Sequence, residues 1–218
     1  MKIVSSIASV FCLAVAPLAL AQRGPEFSAD MVTHTSSGGT ETDKLYVGLN
    51  KVRLDRLPVP GSVQHVKTII IDGDNQVAYL LVPDQNAYVK SKYVAGMALD
   101  GVTLFRPVDA DNPCAGWVDA LARNNIELEC KKVGVQPVDD RPTVKWDGTT
   151  SRGGTGAIWY DPSLHFVVKL QENPTGGPQS GYQLKNVVFG PPAASLFVLP
   201  SGYHEISWNQ LAQIVAGS

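Results

Sequence analysis

Few residues of this sequence have the types and spacing that catalysis or metal binding requires. The four histidines are spread over the whole chain, at His34, His65, His165 and His204. A metal site needs three or four ligands that converge in space, so separate surface histidines are the better interpretation. The chain also lacks the glycine-rich phosphate and dinucleotide loops and the His-Glu-x-x-His motif of zinc proteases. We therefore expect no metal and no cofactor.

A nucleophile or an acid–base pair is equally hard to find. Residues 177–181 (GPQSG) place a serine between glycines, but the spacing differs from the G-x-S-x-G motif of hydrolases. Two carboxylate pairs, Asp109 with Asp111 and Asp139 with Asp140, lie beside the Pro, Arg and Asn residues typical of turns. The sequence therefore predicts a protein that is not an enzyme.

The amino terminus predicts export. Residues 3–20 are almost wholly apolar after a single Lys2, and the small residues Ala19 and Ala21 flank Leu20 as in a signal-peptide cleavage site. A membrane anchor is the alternative, but polar residues follow at once. We expect cleavage between Ala21 and Gln22, a signal peptide at residues 1–21, and a single domain at residues 22–218 in the periplasm or outside the cell.

The cysteines fit that compartment. Cys12 lies inside the predicted signal peptide, which leaves Cys114 and Cys130 in the mature chain. An even number of cysteines in an exported protein indicates a disulfide. The alternative is two free buried thiols. We predict a Cys114–Cys130 bridge.

Charge and hydropathy exclude several classes of partner. The formal net charge is −2 for the whole chain and −3 without the predicted signal peptide. This charge fits neither a basic nucleic-acid binder nor an acidic disordered tail. No second run of about 18 apolar residues follows the amino terminus, so we expect no transmembrane span. The oligomeric state stays open.

The elements that must position any site are short strands joined by turns. Asp72 and Gly73 separate two apolar runs, residues 66–71 and 77–82, and predict a hairpin in which the glycine takes a positive φ. Both runs are apolar on each face, which is typical of strands in mid-sheet. We count nine or ten strands and no alternation with long helices. The pattern predicts a mainly β fold with an antiparallel sheet.

Two short helices complete the prediction. Asn112 and Pro113 have the residue types of a helix N-cap and first helical position. A second helix is expected from about residue 207 to 215, with Ser207 as its cap. Three of its side chains should face inward: Trp208, Leu211 and Val215. Residues 87–94 fit either a strand or a short helix.

Apolar side chains of the carboxyl-terminal strands are the candidates for a binding surface. Phe166, Val168 and Leu170 share one face because they are two residues apart. Neighbouring strands in regular register extend that face. The candidate ligand-binding residues are Trp146, Ile158, Tyr160, Phe166, Val168 and Leu170. Ordinary core packing is the alternative, since a small curled sheet fills itself with side chains whereas a wider one can hold a ligand.

Four segments carry a family resemblance: NPCAGW (112–117), CKKVGVQPVDDRPTVKW (130–146), WYDPSLHFVVK (159–169) and GPPAASLFVLPSGY (190–203). They resemble a largely uncharacterised family of exported bacterial proteins that is similar to the outer-membrane lipoprotein carriers LolA and LolB. The resemblance implies a LolA-like half-open β-barrel, in which a strongly curved antiparallel sheet wraps around a few short helices.

The carriers hold acyl chains in the hollow of the half-barrel. The resemblance therefore implies a periplasmic binding or carrier protein for an apolar ligand, with a lipid or the acyl chain of a lipoprotein as the partner. A non-catalytic structural or protein-interaction module with a filled core stays open as the alternative.

Overall fold

The computed structural model describes residues 24–34, 39–58, 64–95, 97–99, 102–104, 109–177 and 179–217. The predicted signal peptide lies outside these residues. Two α-helices are described: α1 (Ala115–Ala122) and α2 (Trp208–Ala216). Fourteen strands are described: β1 (Phe27–His34), β2 (Thr40–Val47), β3 (Lys51–Asp55), β4 (Thr68–Asp72), β5 (Val77–Val82), β6 (Ala87–Lys92), β7 (Ala98–Leu99), β8 (Val102–Thr103), β9 (Leu128–Val135), β10 (Val144–Thr150), β11 (Thr155–Asp161), β12 (Phe166–Asn173), β13 (Ser180–Phe189) and β14 (His204–Glu205).

Twelve of these strands form one open, curved sheet, in the order β14-β6-β5-β4-β3-β2-β1-β13-β12-β11-β10-β9. The pairing is antiparallel except at β14, which lies parallel to β6. β7 and β8 form a separate hairpin. The predicted fold class is confirmed, although the strands are more numerous than the sequence indicated. Residues 87–92, which the sequence left open, form β6.

One face of the sheet, here called the inner face, carries the core. A row of directly paired, buried residues crosses six strands on this face: Ala29, Leu45, Leu54, Ile69, Leu80 and Val89. Five of these six side chains are branched and aliphatic, and directly paired side chains on one face of a sheet pack against each other.

β4 and β5 are buried on both faces, as their sequences predicted. The outer face of this region is covered by the segment that follows β13. The Arg53 Nη1 atom donates to the Leu196 carbonyl at 2.7 Å, and the Phe197 ring lies 3.3 Å from the position of a Cβ at Gly48. The carboxyl-terminal segment therefore supplies the second apolar layer that a strand without a polar face requires.

The β4–β5 turn corrects one prediction. Gly73 does not take the positive φ; Gln76 does, at 51°. Gly73 is instead needed for a close approach, because its N–H donates to the Asn50 carbonyl at 2.8 Å. A Cβ at this position would lie 2.7 Å from the Asn50 side-chain oxygen. The missing side chain of Gly73 thus allows the β2–β3 and β4–β5 turns to approach closely, and the residue does not supply a positive φ to its own turn.

The start of α1 also differs from the prediction. The helix begins at Ala115 with Cys114 at the N-cap, and no side chain caps it. The Ala115 N–H donates to the Asn112 carbonyl at 3.1 Å, which closes a turn ahead of the helix. Asn112 and Pro113 therefore shape that turn, and the prediction that they begin the helix is wrong.

The second helix begins where the sequence indicated. Ser207 is the N-cap, and it forms a reciprocal capping box with Gln210. Leu211 is buried and faces the core, but Trp208 is 49% exposed and Val215 is 53% exposed. The prediction that these two residues face inward is wrong, because the buried side of the helix runs through Leu211 and the half-buried Ile214. Neither described helix is long and apolar enough to cross a bilayer.

Candidate apolar binding pocket

Helix α1 lies on the inner face of the sheet, over two paired glycines. Gly148 of β10 is directly opposite Gly156 of β11. A Cβ at Gly156 would lie 2.8 Å from the Trp117 ring, and one at Gly148 would lie 3.4 Å from it. The two glycines therefore make room for the indole of Trp117, which is buried against them. Larger residues would lift the helix from the sheet.

A disulfide holds the helix in this position. Cys114, the N-cap of α1, is bonded to Cys130 of β9, with the two Cα atoms 6.4 Å apart. Cys130 is paired with Gly148, so the covalent link lies beside the glycine pair that receives Trp117. The start of the helix and its central aromatic side chain are both attached to the same part of the sheet.

Between α1 and the sheet lies a cavity of about 390 Å³, here called the α1 pocket. Its apolar wall consists of Trp117, Leu121, Ile126 and Leu128. Its rim is formed by the β10–β11 turn, which includes Arg152, and by the end of β12 with the residues that follow it. Small-molecule sites in proteins commonly measure about 300–1,000 Å³ and are mainly apolar with a few polar groups. The α1 pocket has both properties.

Two charged side chains line the α1 pocket. Arg152 is exposed, and its Nη2 atom donates to the Asn124 carbonyl at 3.2 Å. Glu172 is half-buried, and its Oε2 atom accepts a hydrogen bond from the Ser180 hydroxyl at 3.3 Å. Burial raises the pKa of the Glu172 carboxyl, an effect that this hydrogen bond partly opposes. The pocket thus has an exposed cation at its mouth and a partly desolvated acid in its wall.

Two further cavities are different in character. One of about 490 Å³ lies between α1 and the turns of β2–β3 and β4–β5, and charged side chains line much of it, among them Lys92, Asp119 and Arg123. Another of about 250 Å³ is lined by Trp146, Tyr160 and several polar groups. The parts of the chain that the structure describes contain no group of three or more His, Cys, Asp or Glu side chains that could hold a metal ion.

The six side chains predicted to bind ligand fall into two groups. Trp146, which is half-buried, and Tyr160, which is buried, line the cavity of about 250 Å³. The other four are buried in the continuous core and line none of these three cavities: Ile158, Phe166, Val168 and Leu170. Phe166 packs edge-to-face on Phe27, with the ring centroids 5.5 Å apart. Ligand binding by any of the six stays a prediction.

Comparisons with known proteins concern the fold. No family model matches the chain, and no curated protein matches it either. Solved structures do. An uncharacterized conserved protein from Thermus thermophilus gives a TM-score of 0.54 at 10% identity, over 85% of this chain and 91% of that chain.

Two other solved structures have lower scores. The LolA superfamily protein NE2245 from Nitrosomonas europaea gives a TM-score of 0.35 at 9% identity, over 81% of this chain and 91% of that chain. A chain of the Pseudomonas aeruginosa MucA/MucB complex gives 0.48 at 18% identity, over 83% of this chain and 58% of that chain. At 10% identity, the Thermus thermophilus protein shares the fold alone with this chain. The open, curved sheet with its two short described helices has the half-barrel architecture that the sequence resemblance implied.

The sequence did not single out the residues of the α1 pocket within this fold. A signal was present, because Trp117 and Leu121 are four residues apart on the helix between the two cysteines, and residues four apart share a helix face. Leu128 and Cys130 likewise share a strand face. The pairing of Gly148 with Gly156 depends on the register between β10 and β11, which the sequence of neither strand determines alone.

Proposed function

We propose that this protein is an exported, non-catalytic binding or carrier protein for an apolar ligand, and that the α1 pocket holds the ligand. The observation that carries the proposal is the apolar cavity of about 390 Å³ between α1 and the sheet. A lipid or the acyl chain of a lipoprotein fits its apolar wall, because each methylene buried there contributes about 0.8 kcal/mol.

The construction of the pocket supports a preformed site. The disulfide and the paired glycines both fix α1 against the sheet, so an entering ligand does not need to order the helix. A site that is ordered before binding loses less conformational entropy when the ligand enters. An apolar ligand can therefore gain most of the free energy of its burial.

Export and domain organisation form part of the proposal. We infer that residues 1–21 are removed and that residues 22–218 act as one domain in the periplasm or outside the cell. Intact-mass measurement of the exported protein should give a chain that begins at Gln22. A mass that retains the signal peptide, or a lipid-modified amino terminus, would contradict this inference.

Binding is tested with a fluorescent fatty-acid probe. The wild-type protein should bind it at micromolar concentrations, and Leu128→Asp should weaken binding at least tenfold because it places a charge in the apolar wall. Val135→Asp is the matched control, since Val135 lies on the same strand and is 78% exposed. The control variant should bind like the wild type, and circular dichroism checks the folding of both variants.

A second candidate function is a structural or protein-interaction module. The packed inner face of β1–β6 favours it, because that part of the hollow is already filled by side chains. Absence of probe binding by the wild-type protein at micromolar concentrations would favour this module over the carrier. Unchanged binding by Leu128→Asp would instead place the ligand outside the α1 pocket.

A further inference from the structure

Glu172 lies where a polar group of the ligand would meet the wall of the α1 pocket. Its strand partner on one side is Gly156, the glycine on which the Trp117 ring rests, and its partner on the other side is Ser180. The carboxyl group is therefore next to the indole across a residue that has no side chain. It also lines the cavity itself.

The carboxyl group has few partners in the described part of the chain. Ser180 donates the one hydrogen bond, at 3.3 Å, and it reaches Oε2. Oε1 accepts no hydrogen bond from these residues, and no described cation forms an ion pair with Glu172. Burial raises the pKa of this carboxyl, and the hydrogen bond from Ser180 opposes that effect only in part.

The other titratable groups around Glu172 do not supply the missing charge. On the sheet side, the Tyr182 hydroxyl donates to the Val167 carbonyl and the Tyr93 hydroxyl donates to the Leu104 carbonyl. On the helix side, the pocket is lined by Trp117 and Leu121, which are uncharged. Arg152 belongs to the turn at the mouth, where it is exposed.

We propose that Glu172 determines the specificity of the α1 pocket, which selects apolar molecules that carry a protonated amine. The inference rests on the proposed function, because it assigns the ligand class of the same pocket. An ammonium group would donate to the open oxygen of the carboxylate in a charge-assisted hydrogen bond. The neighbouring indole of Trp117 adds the electrostatic attraction that aromatic faces exert on ammonium groups.

Other ligand ends satisfy this wall less well. A carboxylate end at the same position would place two like charges together in a partly desolvated site. A hydroxyl end can donate one hydrogen bond but leaves the charge of Glu172 uncompensated. The structure therefore ranks an alkyl amine above an alcohol of equal chain length.

The test compares two ligands with the same alkyl chain, dodecylamine and dodecanol, each measured directly by isothermal titration calorimetry, which needs no probe with a carboxylate end. The wild-type protein should bind dodecylamine at least tenfold more tightly than dodecanol. Glu172→Gln should abolish that difference, because the variant has no charge with which the ammonium group can pair. Glu129→Gln, which changes an exposed glutamate of β9, is the matched control and should retain the full preference.

A pH series separates this role from a structural one. The affinity of the wild type for dodecylamine should fall as the pH is lowered through the pKa of Glu172, because the protonated carboxyl loses its ion pair. The affinity of Glu172→Gln for dodecylamine should show no such fall. A shared pH dependence in both proteins would overturn the assignment to Glu172.

The remaining outcomes are also decisive. Equal affinity of the wild type for the two ligands, or an amine preference that persists in Glu172→Gln, overturns the inference while the carrier function stands. Binding of neither ligand, together with no binding of the fatty-acid probe, overturns both proposals. A final comparison concerns the source of the amine. Tighter binding of lysophosphatidylethanolamine than of lysophosphatidylglycerol would indicate a lipid head group, and equal binding of the two would indicate a free alkyl amine.

Discussion

The two halves of the sheet use their inner faces differently. In the half formed by β2–β6, every position of the paired row from Leu45 to Val89 carries an aliphatic side chain, and the row is fully buried. In the half formed by β9–β12, Gly148 and Gly156 occupy paired positions, and a helix covers them. The absence of side chains at one pair of positions thus turns a packed core into a surface that can receive α1 and leave a cavity beside it.

A segment of the chain covers part of the outer face in both halves. The segment after β13 covers β3 and β4 through Leu196. Residues 136–142, which connect β9 to β10, cover the other half. The Trp159 Nε1 atom donates to Gln136 at 3.2 Å, and the Lys185 ammonium group donates to Asp139 at 2.7 Å. Both halves thus have a partly covered outer face, and the glycine pair distinguishes the inner face of the β9–β12 half.

The largest effect is expected at the packed centre of the core, where Phe166 of β12 packs on Phe27 of β1. Phe166→Ala removes a fully buried ring that packs on Phe27, and such truncations cost about 3–5 kcal/mol. Urea denaturation should show this loss, while each folded molecule keeps its affinity for the fatty-acid probe. Phe189→Ala, at a 56% exposed phenylalanine, should cost less than about 1 kcal/mol. Loss of probe binding by folded Phe166→Ala would instead show that the packed centre takes part in binding.

Removal of the disulfide tests whether α1 must be linked covalently to the β9–β12 half of the sheet. Cys114 and Cys130 are 16 residues apart, and a bridge across a loop of this length contributes about 3 kcal/mol in the chain-entropy model. Replacing both cysteines by serine should lower the free energy of unfolding by that amount or less and weaken probe binding. Thiol labelling of the unfolded, unreduced wild-type protein should find no free thiol in the mature chain. Two labelled thiols would show that the bridge does not form.

The smallest effect on stability tests the glycine pair directly. Gly156→Ala places a Cβ 2.8 Å from both the Trp117 ring and the Gln171 carbonyl, and overpacking of this kind costs about 1–3 kcal/mol. The free energy of probe binding should change by more than the free energy of unfolding, because the displaced indole forms part of the pocket. Gly217→Ala, whose nearest contact would be at 3.4 Å, is the control. Unchanged probe binding by Gly156→Ala would show that the glycine pair does not contribute to the binding site.

Features set by neighbouring residues could be predicted from the sequence. The strands of the apolar runs, the Ser207 cap and the antiparallel class follow from alternation, capping chemistry and turn residues. Features set by contacts between distant segments could not. The role of Gly73 depends on Asn50, and the exposure of Trp208 depends on which side of α2 meets the core.

The candidate site shows the same division. The face shared by Phe166, Val168 and Leu170 could be read from the two-residue spacing, but whether that face is packed or hollow could not. The register between β11 and β12 also shifts between Trp159 and Tyr160, which a prediction from regular alternation does not include. The pocket itself depends on three separate segments that meet only in the folded chain.

The short β14 strand covers part of one border of the sheet. Because His204 and Glu205 pair with β6, they occupy backbone groups that would otherwise be free to pair with another chain. At the opposite border, β9 carries Lys131 and Lys132 and an irregular register opposite Lys145 and Trp146, features that discourage edge-to-edge pairing. An open sheet without these borders would be a template for aggregation, and the two-residue strand β14 and the uneven edge of β9 oppose such pairing.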